Sequence, residues 1–235
     1  MGKNIAFDRQ RFERVANFYS GFGLVPQTNQ LRFLTKFKNG NGNYRFNVGD
    51  TGIVNPHVLA RHLKRNDAFI AKSISAAIYI ENDEKPGTGF ILTYPLLDSA
   101  TTPVLPDGYS GLSSVDAEAL YNGILTLKTG QTMNYMGFPL DSFRRVPETQ
   151  PTADLMVLPE YKIEEIQFDL PELLKFVGTS DQYLGIEFPA TPTMVFEAAQ
   201  AGFSAYLMLK VDGWLIEGGT NPDLKIPENP LYAAL

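Results

Sequence analysis

The sequence predicts an all-β domain, a sandwich or barrel with short helices in its connections and a basic helix or arm at its N-terminus. Roughly eight to ten stretches carry the alternating or β-branched texture of strands. Glycine and proline, 20 and 16 of 235 residues, punctuate those stretches. No repeat of fixed period is visible, and the pattern favours stacked or rolled sheets over βαβ layering. A hydrophobic content of 44% is ordinary for a packed core, and the length suits one large β domain or two small ones.

The N-terminal helix comes first. Phe12, Val15, Ala16 and Tyr19 recur at i, i+3, i+4 and i+7, with Arg9, Arg11 and Arg14 on the other faces. This predicts a basic amphipathic helix over 8–20, ended by Gly21, Gly23 and Pro26. From Leu31 the texture alternates. Leu31, Phe33 and Phe37 interleave with Arg32, Lys36 and Lys38, and Tyr44, Phe46 and Val48 follow an Asn39–Asn43 run of Asn and Gly. Because Asn and Gly tolerate the positive φ of tight turns, these two strands are expected to form a β-hairpin.

Asn55-Pro56 has the form of a helix cap and first turn, predicting a short helix that carries Val58, Leu59, His62 and Leu63. Ala68–Ile80, rich in Ile and Ala, predicts a largely buried strand. Lys85-Pro86-Gly87 turns the chain into Phe90, Leu92 and Tyr94. The proline- and glycine-rich residues 95–113 predict a surface loop, Ser113–Leu120 one or two helical turns, and Ile124–Lys128 a strand. Pro147, Pro151 and Pro159 bracket a connection into a bulged strand at Tyr161–Phe168. Asp169-Leu170-Pro171 is expected to start a short helix that Gly178 closes. Strands at Tyr183–Phe188 and Ala205–Ile216 complete the pattern, with a turn at Asp212-Gly213. The domain plan is a basic helix or arm over 1–30, a β domain over 31–220 and a proline-rich tail over 221–235 that cannot continue a ladder.

Charge is divided unevenly along the chain. The first 72 residues hold twelve Lys/Arg against four Asp/Glu and the remaining 163 hold eight against twenty-two, so the formal charge runs from +8 to −14. A basic end attached to an acidic body can face a polyanion or an acidic neighbour. The candidate nucleic-acid or inner-face contacts are Arg9, Arg11, Arg14, Arg32, Lys36, Lys38 and Arg45, with Phe and Tyr interleaved as on a single-strand-binding surface. In the expected hairpin those aromatics fit core-facing positions equally well.

Chemistry is sparse. With no cysteine, disulfides, thiolate metal sites and thiol nucleophiles are excluded. The N-terminus lacks the apolar core of a signal peptide, no run of ~18 apolar residues could span a bilayer, and Ala6 replaces the Ser or Thr of a myristoylation signal. A soluble protein made in a cytoplasm is expected. Gly108-Tyr109-Ser110-Gly111 lacks nucleophile-elbow spacing, and no phosphate-binding glycine loop follows a strand. His57 and His62, five apart on the expected helix, would point away from each other and could not share a metal. The Asn39–Asn43 run lacks the carboxylates of a calcium loop. No metal and no cofactor are expected. Glu164, Glu165, Asp169, Glu172 and Glu187 could in principle supply a glycosidase carboxylate pair, though adjacent Glu164 and Glu165 would face opposite sides of a strand. Trp214 could serve as a sugar-stacking platform, or pack beside a hairpin turn.

Two stretches resemble the coat proteins of non-tailed icosahedral bacteriophages and related viruses built from jelly rolls. One is His62-Leu-Lys-Arg-Asn-Asp-Ala-Phe-Ile-Ala-Lys-Ser-Ile-Ser-Ala-Ala-Ile-Tyr79; the other is Tyr121-Asn-Gly-Ile-Leu-Thr-Leu-Lys128, continued by Phe143-Arg-Arg-Val-Pro-Glu-Thr-Gln150. Such coats pass from a short helix through a polar Asn-Asp corner into a buried strand, and later enter a strand through Asn-Gly ahead of a proline-bounded crossover. The resemblance spans roughly residues 30–215 and carries no diagnostic motif. It implies a jelly-roll sandwich, with the length favouring a single roll over a compact double one. It also implies a capsid coat subunit, made in the host cytoplasm and residing in the virion, that self-assembles into an icosahedral shell without catalytic residues. Its partners would be copies of itself, other virion proteins, and viral nucleic acid or an inner membrane at the basic end. The alternatives are a carbohydrate- or ligand-binding sandwich using Trp214 and Tyr109, and a glycoside hydrolase.

Overall fold

The strand periodicities resolve into two antiparallel sheets that bury their apolar rows against each other. The computed structural model describes residues 5–38, 40–50, 53, 56–92, 121–129, 132–143, 167–178, 182–189 and 202–226. Helix α1 (Ile5–Ser20) precedes β1 (Gln27–Lys36), β2 (Asn43–Asn47), β3 (Ala68–Asn82), β4 (Phe90–Leu92), β5 (Ile124–Thr129), β6 (Thr132–Pro139), β7 (Phe168–Val177), β8 (Tyr183–Glu187) and β9 (Phe203–Ile216). Short 3-10 turns follow β6 at Leu140–Phe143 and β9 at Pro222–Leu224. The larger sheet, A, runs β1-β9-β3-β4, with β7 also paired to β3; the smaller, B, runs β2-β8-β5-β6. Strands β7 and β4 lie end to end along one side of β3, at Ala68–Ile74 and Ile78–Ile80 respectively.

The core between the sheets is built from alternate residues. Leu31 and Phe33 of β1, Ile74, Ile78 and Ile80 of β3, and Leu207, Leu209 and Val211 of β9 meet Tyr44, Phe46, Leu125, Leu127, Leu184 and Ile186 of sheet B. Each such buried side chain contributes about 1.5–3 kcal/mol, enough in sum to hold a chain that has no disulfide. Strand β3 is apolar on both faces because sheet A is covered outside as well. Val15 and Tyr19 of α1 pack on Ala68, Ile70, Trp214 and Ile216 at one end. At the other, Leu59 covers Ala77, Tyr79 and Met208. The N-terminal helix is therefore docked on the sheet.

Several expectations change. The Asn-Gly run does not close a hairpin: β1 pairs with β9 and β2 with β8, so Phe37, Lys38 and residues 40–42 lie at a corner between the sheets. Phe37 stacks on Tyr44 at 6.0 Å, and the Tyr44 hydroxyl bonds to both backbone groups of Lys38, which holds the corner shut. Gly40, at φ 76°, makes the bend. The helix expected from Asn55 is absent over 56–63, where the chain instead bridges to Arg32 through Arg61 and to Gly49 through Leu63. Those two bridges give its backbone groups partners that a helix would have supplied internally.

The helix expected at Asp169 is strand β7. Pro171 fits there because the register slips between Ala71 and Ser73, leaving the proline in an unpaired stretch of an edge strand. Asp212-Gly213 is no turn but the middle of β9. The expected Ser113–Leu120 turns, the 95–113 loop, the 147–159 connection, Tyr161–Ile166 and the tail from Glu228 lie outside the described residues. Strand β6 had no counterpart in the sequence pattern.

Candidate anion groove and the dispersal of the basic residues

The seven basic residues singled out by sequence do not form one surface. Arg9 and Arg14 are exposed on α1, with Arg9 paired to Glu13 at 2.9 Å. Arg11, one position along, is buried at 8% exposure and donates to the Leu170 carbonyl at 2.8 Å, tying the helix to β7. It serves as a structural cation here, leaving little of its surface for the inner-face contact expected of it. Lys36 and Lys38 are exposed at the sheet-to-sheet corner. Arg45 lies on sheet B, over the Tyr183 ring at 4.2 Å and bonded to Asn47. Arg32 sits in a concave site.

That site is a groove of about 450 Å³ on the outer face of sheet A, lined by Thr28, Asn29, Gln30, Arg32, Val58, Leu59, Arg61 and Asp212. The ladder places its charges. Arg61 bridges Arg32, with backbone bonds of 2.7 and 3.0 Å, and Arg32 is in register with Lys210 of β9. Directly opposed partners share a face, so three cations stand in one row across the sheet. Asp212, two residues along β9, is the only acid among the described residues lining the groove; Gln30 donates to it at 2.8 Å, Gln167 donates to its other oxygen, and Lys210 lies 3.8 Å away. Arg32 donates one N–H to Gln30 at 3.0 Å, while its Nε is out of water with no partner among the described residues. No ion pair among the described residues engages Arg32 or Arg61.

A second polar cluster closes the other end of the sheet. Leu59 N–H donates to His57 Nδ1 at 3.1 Å, which puts the ring proton on Nε2, and Nε2 donates to Glu81 at 2.8 Å. Gly87 N–H donates to the second Glu81 oxygen at 2.8 Å. Burial works to raise the Glu81 pKa, but the Gly87, His57 and Tyr206 hydrogen bonds outweigh it and hold the carboxyl below its usual range. Burial first, and then the Glu81 charge, push the Tyr206 hydroxyl up to about 12. With the two side chains 8% and 3% exposed, the pair has no face left for a substrate. It clamps residues 57–59 and the 83–89 turn onto the sheet. Sequence could not reveal it, because His57 and Glu81 are 24 residues apart.

The other sequence candidates separate. His62 bonds the Asn47 carbonyl at 2.9 Å and packs on Phe33, and burial lowers its pKa. No group of three or more His, Asp or Glu that could hold a metal occurs among the described residues. Asp169 and Glu172 lie on sheet A and Glu187 on sheet B, while Glu164 and Glu165 are outside the described residues. Trp214 is 3% exposed beneath Phe12, 5.8 Å away, so its ring faces helix α1 rather than solvent. Comparison with known proteins finds no matching family model, curated protein or solved structure.

Proposed function

We propose that this chain is a structural subunit of a viral shell, a jelly roll whose function is carried by repeated contacts between copies. The supporting observation is the nesting of its strand pairs. Strand β1 pairs with β9, β2 with β8, β3 with β7, and β5 with β6, all antiparallel. First-with-last pairing of this kind arises when one long hairpin of eight strands rolls up, β9 then meeting β3 and β8 meeting β5. With the short β4 set aside, the sheets read 1-9-3-7 and 2-8-5-6, two interleaved Greek keys.

Jelly rolls recur in capsid and lectin domains. The covered Trp214 disfavours the lectin-like reading, and the division of Asp169 and Glu172 from Glu187 between sheets gives no support to a glycosidase pair. The run from +8 to −14 along the chain supplies opposite charges for neighbouring copies in a symmetric shell. The scatter of Arg9, Arg14, Lys36, Lys38 and Arg45 favours such contacts over a continuous nucleic-acid track.

Light scattering with electron microscopy on the purified protein tests the reading. Closed particles or rings, loosened as salt rises from ~50 to ~500 mM, are the expected result. A clean monomer at every salt and protein concentration, above all one that binds glycans, would overturn it.

A further inference from the structure

We propose that the groove on the outer face of sheet A is a binding site for a compact phosphate dianion, either free phosphate or a phosphate monoester. Three charged groups line it: Arg61 and Arg32, on a register row that Lys210 continues across β9, and Asp212 two residues along from Lys210. Like charges directly opposed across a ladder are unfavourable unless something neutralises them. Asp212 does not do so for the arginines: its oxygens are taken by Gln30 and Gln167, with Lys210 as its nearest cation.

The second observation is independent of the charge count. Arg32 Nε is a cationic donor removed from water with no acceptor among the described residues, and an uncompensated buried donor is costly. An oxyanion in the groove gives that poorly compensated cation a counter-charge beside Arg61, and planar guanidinium forks suit phosphate oxygens better than point-charge ammonium does. The rest of the lining fits the same ligand. Thr28 and Asn29 add polar groups to one wall, and Val58 and Leu59 give the apolar rim that a phosphate ester's carbon could lie on. At about 450 Å³ the space is far larger than one water and within the ~300–1,000 Å³ of small-molecule sites. It is short for a polymer, which needs a track of cations, and the exposed Arg9, Arg14 and Arg45 lie elsewhere.

The site belongs to a single chain, so its test does not depend on assembly. Inorganic phosphate is titrated into the protein at constant ionic strength, set with chloride, and binding is followed by calorimetry and by the rise in melting temperature. Saturable binding is expected from phosphate and not from chloride. Arg61→Gln, an exposed position, should weaken phosphate binding at least tenfold without lowering the melting temperature of the ligand-free protein. Arg9→Gln, on the helix, should change neither.

Absence of saturation, or equal binding by Arg61→Gln and the parent, overturns the proposal. A parallel arm uses a short single-stranded oligonucleotide lacking terminal phosphate. If the oligonucleotide binds through Arg61 while inorganic phosphate does not, the groove is a polymer contact and the compact-anion assignment fails.

Discussion

Replacing Gly213 by alanine is expected to cost about 3–5 kcal/mol of stability. Gly213 stands in mid-β9, paired with Asn29 on one side and Ala71 on the other, next to the register slip in β3. A Cβ there would meet the Ile70 backbone oxygen at 2.0 Å and Phe69 Cε1 at 2.8 Å. The carbonyl belongs to the central ladder and Phe69 is wholly buried, so neither can step aside alone. Strands β9 and β3 must part by about 1 Å to bring the contact to even 3.0 Å. That stretches the flanking ladder bonds past useful length. Two lost bonds at about 1 kcal/mol each, with about 1–3 kcal/mol for overpacking, give the stated cost. Urea unfolding should show a midpoint lower by more than about 1 M. Gly202→Ala is the control: its Cβ meets nothing within 4 Å, and only the φ of 88° penalises it, by about 1–2 kcal/mol. If Gly213→Ala unfolds no earlier than Gly202→Ala, the close approach of β9 to β3 is not as described.

Two further outcomes follow from the cations and the clamp. Arg11→Gln should destabilise by about 1.5–3 kcal/mol, because it removes a buried charged hydrogen bond to Leu170, whereas the double variant Arg9→Gln, Arg14→Gln should melt with the parent. A melting series separates them, and equal effects would contradict the burial of Arg11. Glu81, whose folded pKa is depressed, contributes stability that is present above the ordinary carboxyl range near ~4.3 and lost as pH falls through the lower folded value. Glu81→Gln should therefore be less stable than the parent at pH 6 and lose less on going to pH 3, measured by denaturant titration at each pH. An identical acid slope in both proteins would count against the clamp.

The elements legible in the sequence are those whose pattern is set by burial on a fixed period. Helix α1 showed its Val15 and Tyr19 stripe, β3 and β9 their apolar runs, and β8 its short apolar core of Leu184 and Ile186. The misread segments carried local signals that tertiary pairing overrode. Asn39–Asn43 has turn chemistry and does turn the chain, but the choice between hairpin and corner lies with β8 and β9, over a hundred residues downstream. Pro56 and Pro171 look like helix starts because proline suits a first helical turn; each instead sits where no ladder needs its missing N–H. The groove was half visible: Arg32 was singled out, but its partners Arg61 and Lys210 reach it only through pairing, and Arg11 looked like its neighbours until the helix docked.

The nested pairing also sets an order of events for a chain leaving the ribosome. Strand β1 emerges before its registered partner, Lys210 opposite Arg32 and Leu215 opposite Gln27, which is made about 180 residues later. At ~5–20 residues per second the wait is on the order of 10–40 s. Until then β3 can pair with β4 and β7, and sheet B can assemble once β8 is made, but the side of β3 that needs β9 along its whole length stays unpaired. Non-local closure of this kind folds slowly. The nascent chain therefore presents sticky, half-paired strands while β9 is still to be made, and copies made close together must be kept apart until that strand arrives.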